Sequence, residues 1–258
     1  ETITVGRQGL IDHSDSLGAK ARFGAGDVQW MTAGRGIVHS EMFPLVDTTN
    51  RNPTELFQIW LNLPADDKMV EPYFTMFWKD TVSIVETVDS LGLRSLVQVV
   101  AGEFRGQKGP PPPPNSWASR KDSNIAIWSI SMEANATITL PPAHPQSNRI
   151  LYFFTGETLE INDQPCRLNH GVQVNPTVEL SLRNGTERTE ILLLQGRPIG
   201  EPIARYGPFV MNTQKELQQA YFDYQQTQFG GWSWESRDPT HGLEERFALH
   251  ADGRIERP

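Results

Sequence analysis

Apolar and polar residues alternate with a period of two over many short runs of this chain, the pattern of strands that bury one face. Leu56 to Leu63 shows it most plainly, with Phe57, Ile59 and Leu61 on one side and Gln58, Trp60 and Asn62 on the other. Ile3 to Val5, Val28 to Trp30 and the pair VSIVE and LRSLVQVV, between Val82 and Val100, read the same way. Ile125 to Ser131, Thr137 to Leu140, Ile150 to Phe154, Thr158 to Ile161, Val172 to Val174, Val178 to Leu182 and Glu190 to Leu194 follow, broken by Gly, Pro, Asn and Asp. Such spacing is that of an antiparallel sandwich or barrel. The period changes once, after Thr213-Gln-Lys-Glu216, a capping box. A helix is expected from about Gln214 to Gln228, with Leu217, Ala220, Tyr221 and Tyr224 on one face and Gly230-Gly231 ending it. The predicted class is all-β with one C-terminal helix.

Composition narrows the function classes. At 258 residues the chain has room for one large domain or two ordinary ones. A formal net charge of −8 disfavours attraction to phosphate backbones or anionic lipid, so no direct nucleic-acid or membrane partner is expected. The single cysteine, Cys166, rules out an internal disulfide and fits a reducing compartment; a cytoplasmic location is expected. No apolar run reaches the length of a membrane span. Five prolines, Pro110 to Pro114, read as a stiff surface loop.

Candidate chemistry concentrates in Gly26 to Met42, GDVQWMTAGRGIVHSEM. If the β-branched pair Ile37-Val38 leads into a strand, His39 and Glu41 share a face and Ser40 points away. An imidazole and a carboxylate converging from one strand are two of the three protein ligands in the 2-His-1-carboxylate arrangement of non-haem iron oxygenases. The alternative is an ordinary solvent-facing pair. Thr32 to Gly36 reads as a permissive turn that aims His39 rather than a phosphate cradle, since no Lys-Ser/Thr and no helix follow it. Trp30 is expected at the barrel mouth or wall. Should the Gln58 face line the interior, its amide could hydrogen-bond a metal ligand or a bound oxygen species, although a satisfied core polar group is the plainer reading. His13 lies among Asp12, Ser14, Asp15 and Ser16, all turn formers, within the turn-rich stretch from Gly6 to Lys20, and reads as solvated; a substitute ligand one hairpin from His39 is the other possibility. His144, His170, His241 and His250 are given no role.

GDVQWMTAGRGIVHSEM, together with LFQIWLNLP at Leu56 to Pro64, KMVEP at Lys68 to Pro72 and GPFVMNT at Gly207 to Thr213, resembles the pirin family of the cupin superfamily. The resemblance is weak from Ala101 to Gly196 and absent in the last two dozen residues. It implies two cupin-type, jelly-roll-like antiparallel β-barrels with a C-terminal helix: a metal-binding barrel over residues 1–98, a metal-free one over 99–212, and the helix and tail over 213–258. It also implies an iron held by three histidines and one glutamate. The last two ligands fall on His39 and Glu41. The first two belong to a His-Pro-His-type segment ahead of Glu1-Thr2-Ile3-Thr4, so the sequence is expected to be the retained part of a longer chain.

Two activities follow from the resemblance. One is a quercetin 2,3-dioxygenase-like reaction with Fe(II), or another divalent transition metal, acting on a flavonol-like small molecule, with Glu41 as ligand or as the base that takes the flavonol proton. The other is a metal- and redox-responsive regulator acting through a protein partner. A barrel that only binds a small molecule is the third reading.

Overall fold

The computed structural model describes residues 1–258, which form two compact units. The first comprises Glu1–Thr81, Pro113–Trp117 and Gly200–Pro258; the second comprises Val82–Pro112 and Ala118–Ile199.

The first unit begins with β1 (Thr2–Gln8), β2 (Leu10–Asp15), β3 (Lys20–Gly24), β4 (Val28–Thr32), β5 (His39–Met42), β6 (Glu55–Trp60) and β7 (Tyr73–Phe77). The second holds β8 (Ser83–Val88), β9 (Arg94–Ala101), β10 (Glu103–Phe104), β11 (Gln107–Lys108), β12 (Ala126–Met132) and β13 (Thr137–Leu140). It continues with β14 (Asn148–Thr155), β15 (Leu159–Ile161), β16 (Gln164–Cys166), β17 (His170–Gln173), β18 (Leu180–Asn184) and β19 (Thr189–Gly196). The chain then returns to the first unit as β20 (Ala204–Tyr206), β21 (Phe209–Met211), the helix α1 (Gln214–Thr227), β22 (Phe247–Leu249) and β23 (Ile255–Glu256).

Each unit is a sandwich of two antiparallel sheets, open at its edges rather than closed into a barrel. In the first, β6-β1-β4-β7 faces β23-β22-β3-β2-β5. Ile11, Ala21 and Phe23 of one sheet pack on Phe74 and Met76 of the other. In the second, β17-β14-β19-β12-β9-β8 packs on β13-β18-β15-β16. Its strands alternate as read: Trp128, Ile130 and Met132 of β12 point inward with Leu151 and Phe153 of β14. Each such fully buried side chain contributes about 1.5–3 kcal/mol of transfer free energy.

The helix starts at its capping box, with Thr213 Oγ1 accepting from Glu216 N and Glu216 Oε2 accepting from Thr213 N. Tyr221 and Tyr224 pack against Phe209, and Leu217 is buried. No helix is long and apolar enough to cross a membrane.

The structure departs from the sequence reading at several places. Leu10–Asp15 is a buried strand and not part of a turn-rich segment, because β3 and β5 pair along both of its sides. Tyr73–Phe77 is a strand absent from the sequence reading; Phe74 and Met76 point inward, with Tyr73 exposed and Thr75 half-buried. Trp30, read at the mouth or wall, is a fully buried wall residue of β4, its Nε1 donating to Glu1 Oε1 at 3.0 Å. Units and segments also divide differently. Residues 82–98 pair through β8 and β9 with β12, so they belong with the second unit, whereas the helix and tail belong with the first, where β22 pairs with β3.

Candidate metal centre

β5 pairs with β2 in a register that sets Glu41 opposite His13 and His39 opposite Asp15. Directly opposed residues of an antiparallel pair point to the same face, and so do residues two apart on one strand. His13, Asp15, His39 and Glu41 therefore share one face. One ring nitrogen from each of His13 and His39 and one carboxylate oxygen of Glu41 lie within 4.8 Å of one another.

His13 is fully buried and packed on both sides. Its ring stacks on Phe74, centroids 5.3 Å apart at 13°, and meets the His39 ring at 5.6 Å. The turn between β2 and β3 occupies one oxygen of Asp15, where Oδ1 accepts from Leu17 N at 2.9 Å and Ala19 N at 3.0 Å. The other oxygen, Oδ2, lies 3.3 Å from His13 Nε2. That leaves His13 Nδ1 buried with no hydrogen-bond partner. A buried ring nitrogen without a partner carries a desolvation penalty that a bound cation would remove.

Glu41 is oriented from the facing sheet. Thr4 of β1 and Gln58 of β6 lie opposite one another in register. Thr4 Oγ1 donates to Glu41 Oε1 at 3.2 Å, and Gln58 Nε2 donates to Glu41 Oε2 at 2.7 Å. His39 keeps an edge open to solvent, yet the groups packed around it hold its pKa below the ordinary histidine value. Burial is the leading cause and His13 the second, opposed by Glu41 and Asp15. A neutral imidazole is the form that binds a metal.

The entry into β5 is fixed by the Gly34-Arg35-Gly36 turn. Gly36 has φ +131°, and a Cβ there would stand 2.5 Å from Cγ of Phe229. Gly34 has φ +52°, and a Cβ there would collide with the Val70 carbonyl, whose oxygen accepts from Arg35 N at 2.9 Å. Val38, just before the histidine, exchanges two hydrogen bonds with Ser16: Val38 N donates to Ser16 Oγ at 3.1 Å and Ser16 N donates to Val38 O at 2.8 Å.

Two nitrogens and a carboxylate are a donor set suited to a first-row transition metal. The residues present fit such an ion. Of the residues singled out in the sequence, His39 and Glu41 converge on one point and Gln58 reaches Glu41. His13, read as a solvated turn residue, joins them instead. Thr4, Asp15 and Phe74 were not singled out. A second period-two pair, His13 and Asp15, one hairpin from His39 and Glu41, was the signal available for the first of these strands. His241 and His250, assigned no role, are both buried and hydrogen-bonded, His241 to the His13 carbonyl and His250 to Glu256.

Comparison with known proteins agrees with this architecture. The family model described as Pirin matches residues 1–61, and the one described as Pirin C-terminal cupin domain matches residues 127–230. Pirin-1 of Arabidopsis thaliana is 35% identical over 233 residues, covering 89% of this chain and 75% of its own length. The crystal structure of quercetin 2,3-dioxygenase from Acinetobacter baumannii superposes with a TM-score of 0.73 at 31% identity, over 89% of this chain and 76% of that one. Bacterial pirin YhhW from Escherichia coli, solved in complex with nickel(II), shares the fold with a TM-score of 0.52 at 21% identity, over 76% of this chain and 72% of that one. On the family models and on relatives at this level of identity, the chain belongs to the pirin family of the cupin superfamily.

Proposed function

We propose that the first unit holds a divalent transition metal, Fe(II) by family resemblance, on His13, His39 and Glu41, and that the chain is a quercetin 2,3-dioxygenase-like oxidoreductase. The observation that carries this is the convergence of the three donor atoms within 4.8 Å. When bound, the metal would supply Lewis acidity and a site for dioxygen chemistry beside an acidic phenol. The chain's own residues do the rest. Asp15 Oδ2 lies 3.3 Å from His13 Nε2 and Phe74 fixes the plane of the ring, which offers one nitrogen to the cluster. Thr4 and Gln58 aim the Glu41 carboxylate. The Glu41 carboxylate, held by Thr4 and Gln58, would serve either as a ligand to the metal or as the base that takes the flavonol proton. The A. baumannii protein of known structure that bears the quercetin 2,3-dioxygenase name supports the substrate class.

The test is anaerobic loading of the full chain with Fe(II), addition of quercetin and then oxygen, and measurement of flavonol absorbance. The expected result is turnover that disappears in His39→Ala and Glu41→Ala and falls sharply in His13→Ala. Turnover that survives all three substitutions would overturn the assignment.

One observation favours a second reading, a metal-responsive regulator that acts through a protein partner. Val38, next to His39, bonds Ser16 Oγ, which donates to the Phe229 carbonyl at 2.7 Å at the end of α1. A cleft of about 350 Å³ lined by Leu17, Arg35, Met69, Asp223 and Phe229 lies along this route. A change of charge at the site thus has a short path to the surface of the unit. Metal-dependent capture of a partner, without turnover on any flavonol, is the result this reading expects.

A further inference from the structure

The Pirin C-terminal cupin domain model ends at residue 230, and the chain beyond it carries two strands and several hydrogen bonds that meet β2. Those bonds are concentrated on the residues around His13. His241 Nε2 lies 3.0 Å from the His13 carbonyl oxygen, which can only accept, so the ring is the donor. His241 N donates to Asp12 Oδ2 at 2.8 Å. Trp234 Nε1 donates to the Asp15 carbonyl at 2.8 Å. The residue before His13, His13 itself and its carboxylate partner are thus each held by the tail.

Two more contacts tighten the same place. Arg22, opposite Asp12 on β3, pairs with both Asp12 oxygens at 2.7 Å and donates to the carbonyls of Gly242 at 2.8 Å and Glu244 at 2.7 Å. Asp12 and Arg22 are buried, so this network ties the tail to the strand away from water. On the other side, the His250 ring meets the edge of Phe74 at 5.3 Å, and Phe74 is the ring stacked on His13. Backbone on one side and stacking partner on the other are both set by residues after 230.

We infer that the C-terminal tail, residues 232–258, is a clasp that orients His13 toward the metal, with His241 and Trp234 as positioning residues. The inference rests on the metal centre proposed above. It assigns the tail to metal affinity and coordination geometry, beyond its contribution to folding. Partners one bond removed from a ligand alter metal affinity by roughly 10- to 100-fold when lost. His241 acts one step further out, through the backbone, so the expected effect is about tenfold, at the lower end of that range.

Cobalt(II) provides a readout independent of catalysis. The full chain, His241→Leu, His241→Gln and Trp234→Phe would be titrated with cobalt(II) against a chromophoric chelator, their ligand-field absorption recorded, and their folding followed by circular dichroism. The expected result is an affinity about tenfold weaker and a shifted ligand-field band in His241→Leu and Trp234→Phe, with recovery in His241→Gln, whose amide can donate to the same carbonyl. Affinities within about twofold of wild type and unshifted bands in both weakened variants would overturn the clasp. If His241→Leu does not fold, Trp234→Phe decides alone, since it removes a single N–H and keeps an aromatic ring. Wild-type protein that takes up no cobalt, or a His39→Ala variant that takes it up equally well, overturns the metal centre and the clasp together. Normal uptake with unchanged variants overturns the clasp alone.

Discussion

Glu41 shows how the candidate centre is built residue by residue, because both of its oxygens are directed before any cation arrives. Gln58 donates to one and Thr4 to the other. Gln58→Leu removes the shorter bond, so cobalt(II) affinity should weaken by about 10- to 100-fold while the melting temperature changes little. A chelator competition titration reads this directly, and an unchanged affinity would show that the carboxylate needs no such support. His39 and Glu41 were legible in the sequence because strand alternation places residues two apart on one face. His13 was not, because Asp12, Ser14, Asp15 and Ser16 have the local preferences of a turn. Asp15 does cap the turn that follows, accepting from the amides of Leu17 and Ala19, but Asp12 is bound by Arg22 on β3 and Ser16 by Val38 N, and β3 and β5 pair along the strand. Partners of this kind, distant or set by the fold, outweigh local propensity.

Histidine charge makes the stability of the chain depend on pH. His39 and His241 are both held below the ordinary histidine value of 6.5, burial being the first cause for each. Below that value the unfolded chain therefore binds more protons than the folded one. Stability of the metal-free chain should be complete above pH 6.5 and decline as the pH falls through the lowered folded values. Urea denaturation across that range measures it, and His241→Gln should flatten part of the slope. A rise in stability on acidification is the contrary result.

Among the elements, the turn into β5 and the end of α1 constrain one another. A side chain at Gly36 has to pass through the Phe229 ring. Gly36→Ala should therefore destabilise the chain by about 1–3 kcal/mol, from the positive φ and the collision combined. Phe229→Ala in the same chain should restore the collision part but not the backbone part. Denaturation midpoints of the two single variants and the double variant form the cycle that separates them. Strict additivity would place the two residues out of contact.

α1 and its capping box were plain in the sequence because capping is local chemistry. β7 was not, because aromatic residues at both ends of its run, Tyr73 and Phe77, blur the alternation that Phe74, Thr75 and Met76 keep. The tail after Gly231 was equally obscure. Its charged residues carry no periodicity, and its order comes from pairing with β3 and from buried partners such as Asp12 and Asp27, far away in sequence.

For the whole molecule, two sandwiches of similar plan carry different interiors. The second is filled by apolar side chains such as Trp128, Leu151 and Leu193, whereas the first places two imidazoles and two carboxylates on the inward face of one sheet. The repetition of plan was visible as repeated strand periodicity. The segmental grouping was not, because the first unit is assembled from the two ends of the chain and a short middle segment, and return crossings of this sort leave no local mark.

Whether His13, His39 and Glu41 hold one cation can be read from an anomalous difference map of crystals grown with Fe(II). A single peak about 2.0–2.2 Å from a nitrogen of His13, a nitrogen of His39 and an oxygen of Glu41 is the predicted result. A peak elsewhere, or one beside His39 and Glu41 with the His13 ring turned away, would contradict it.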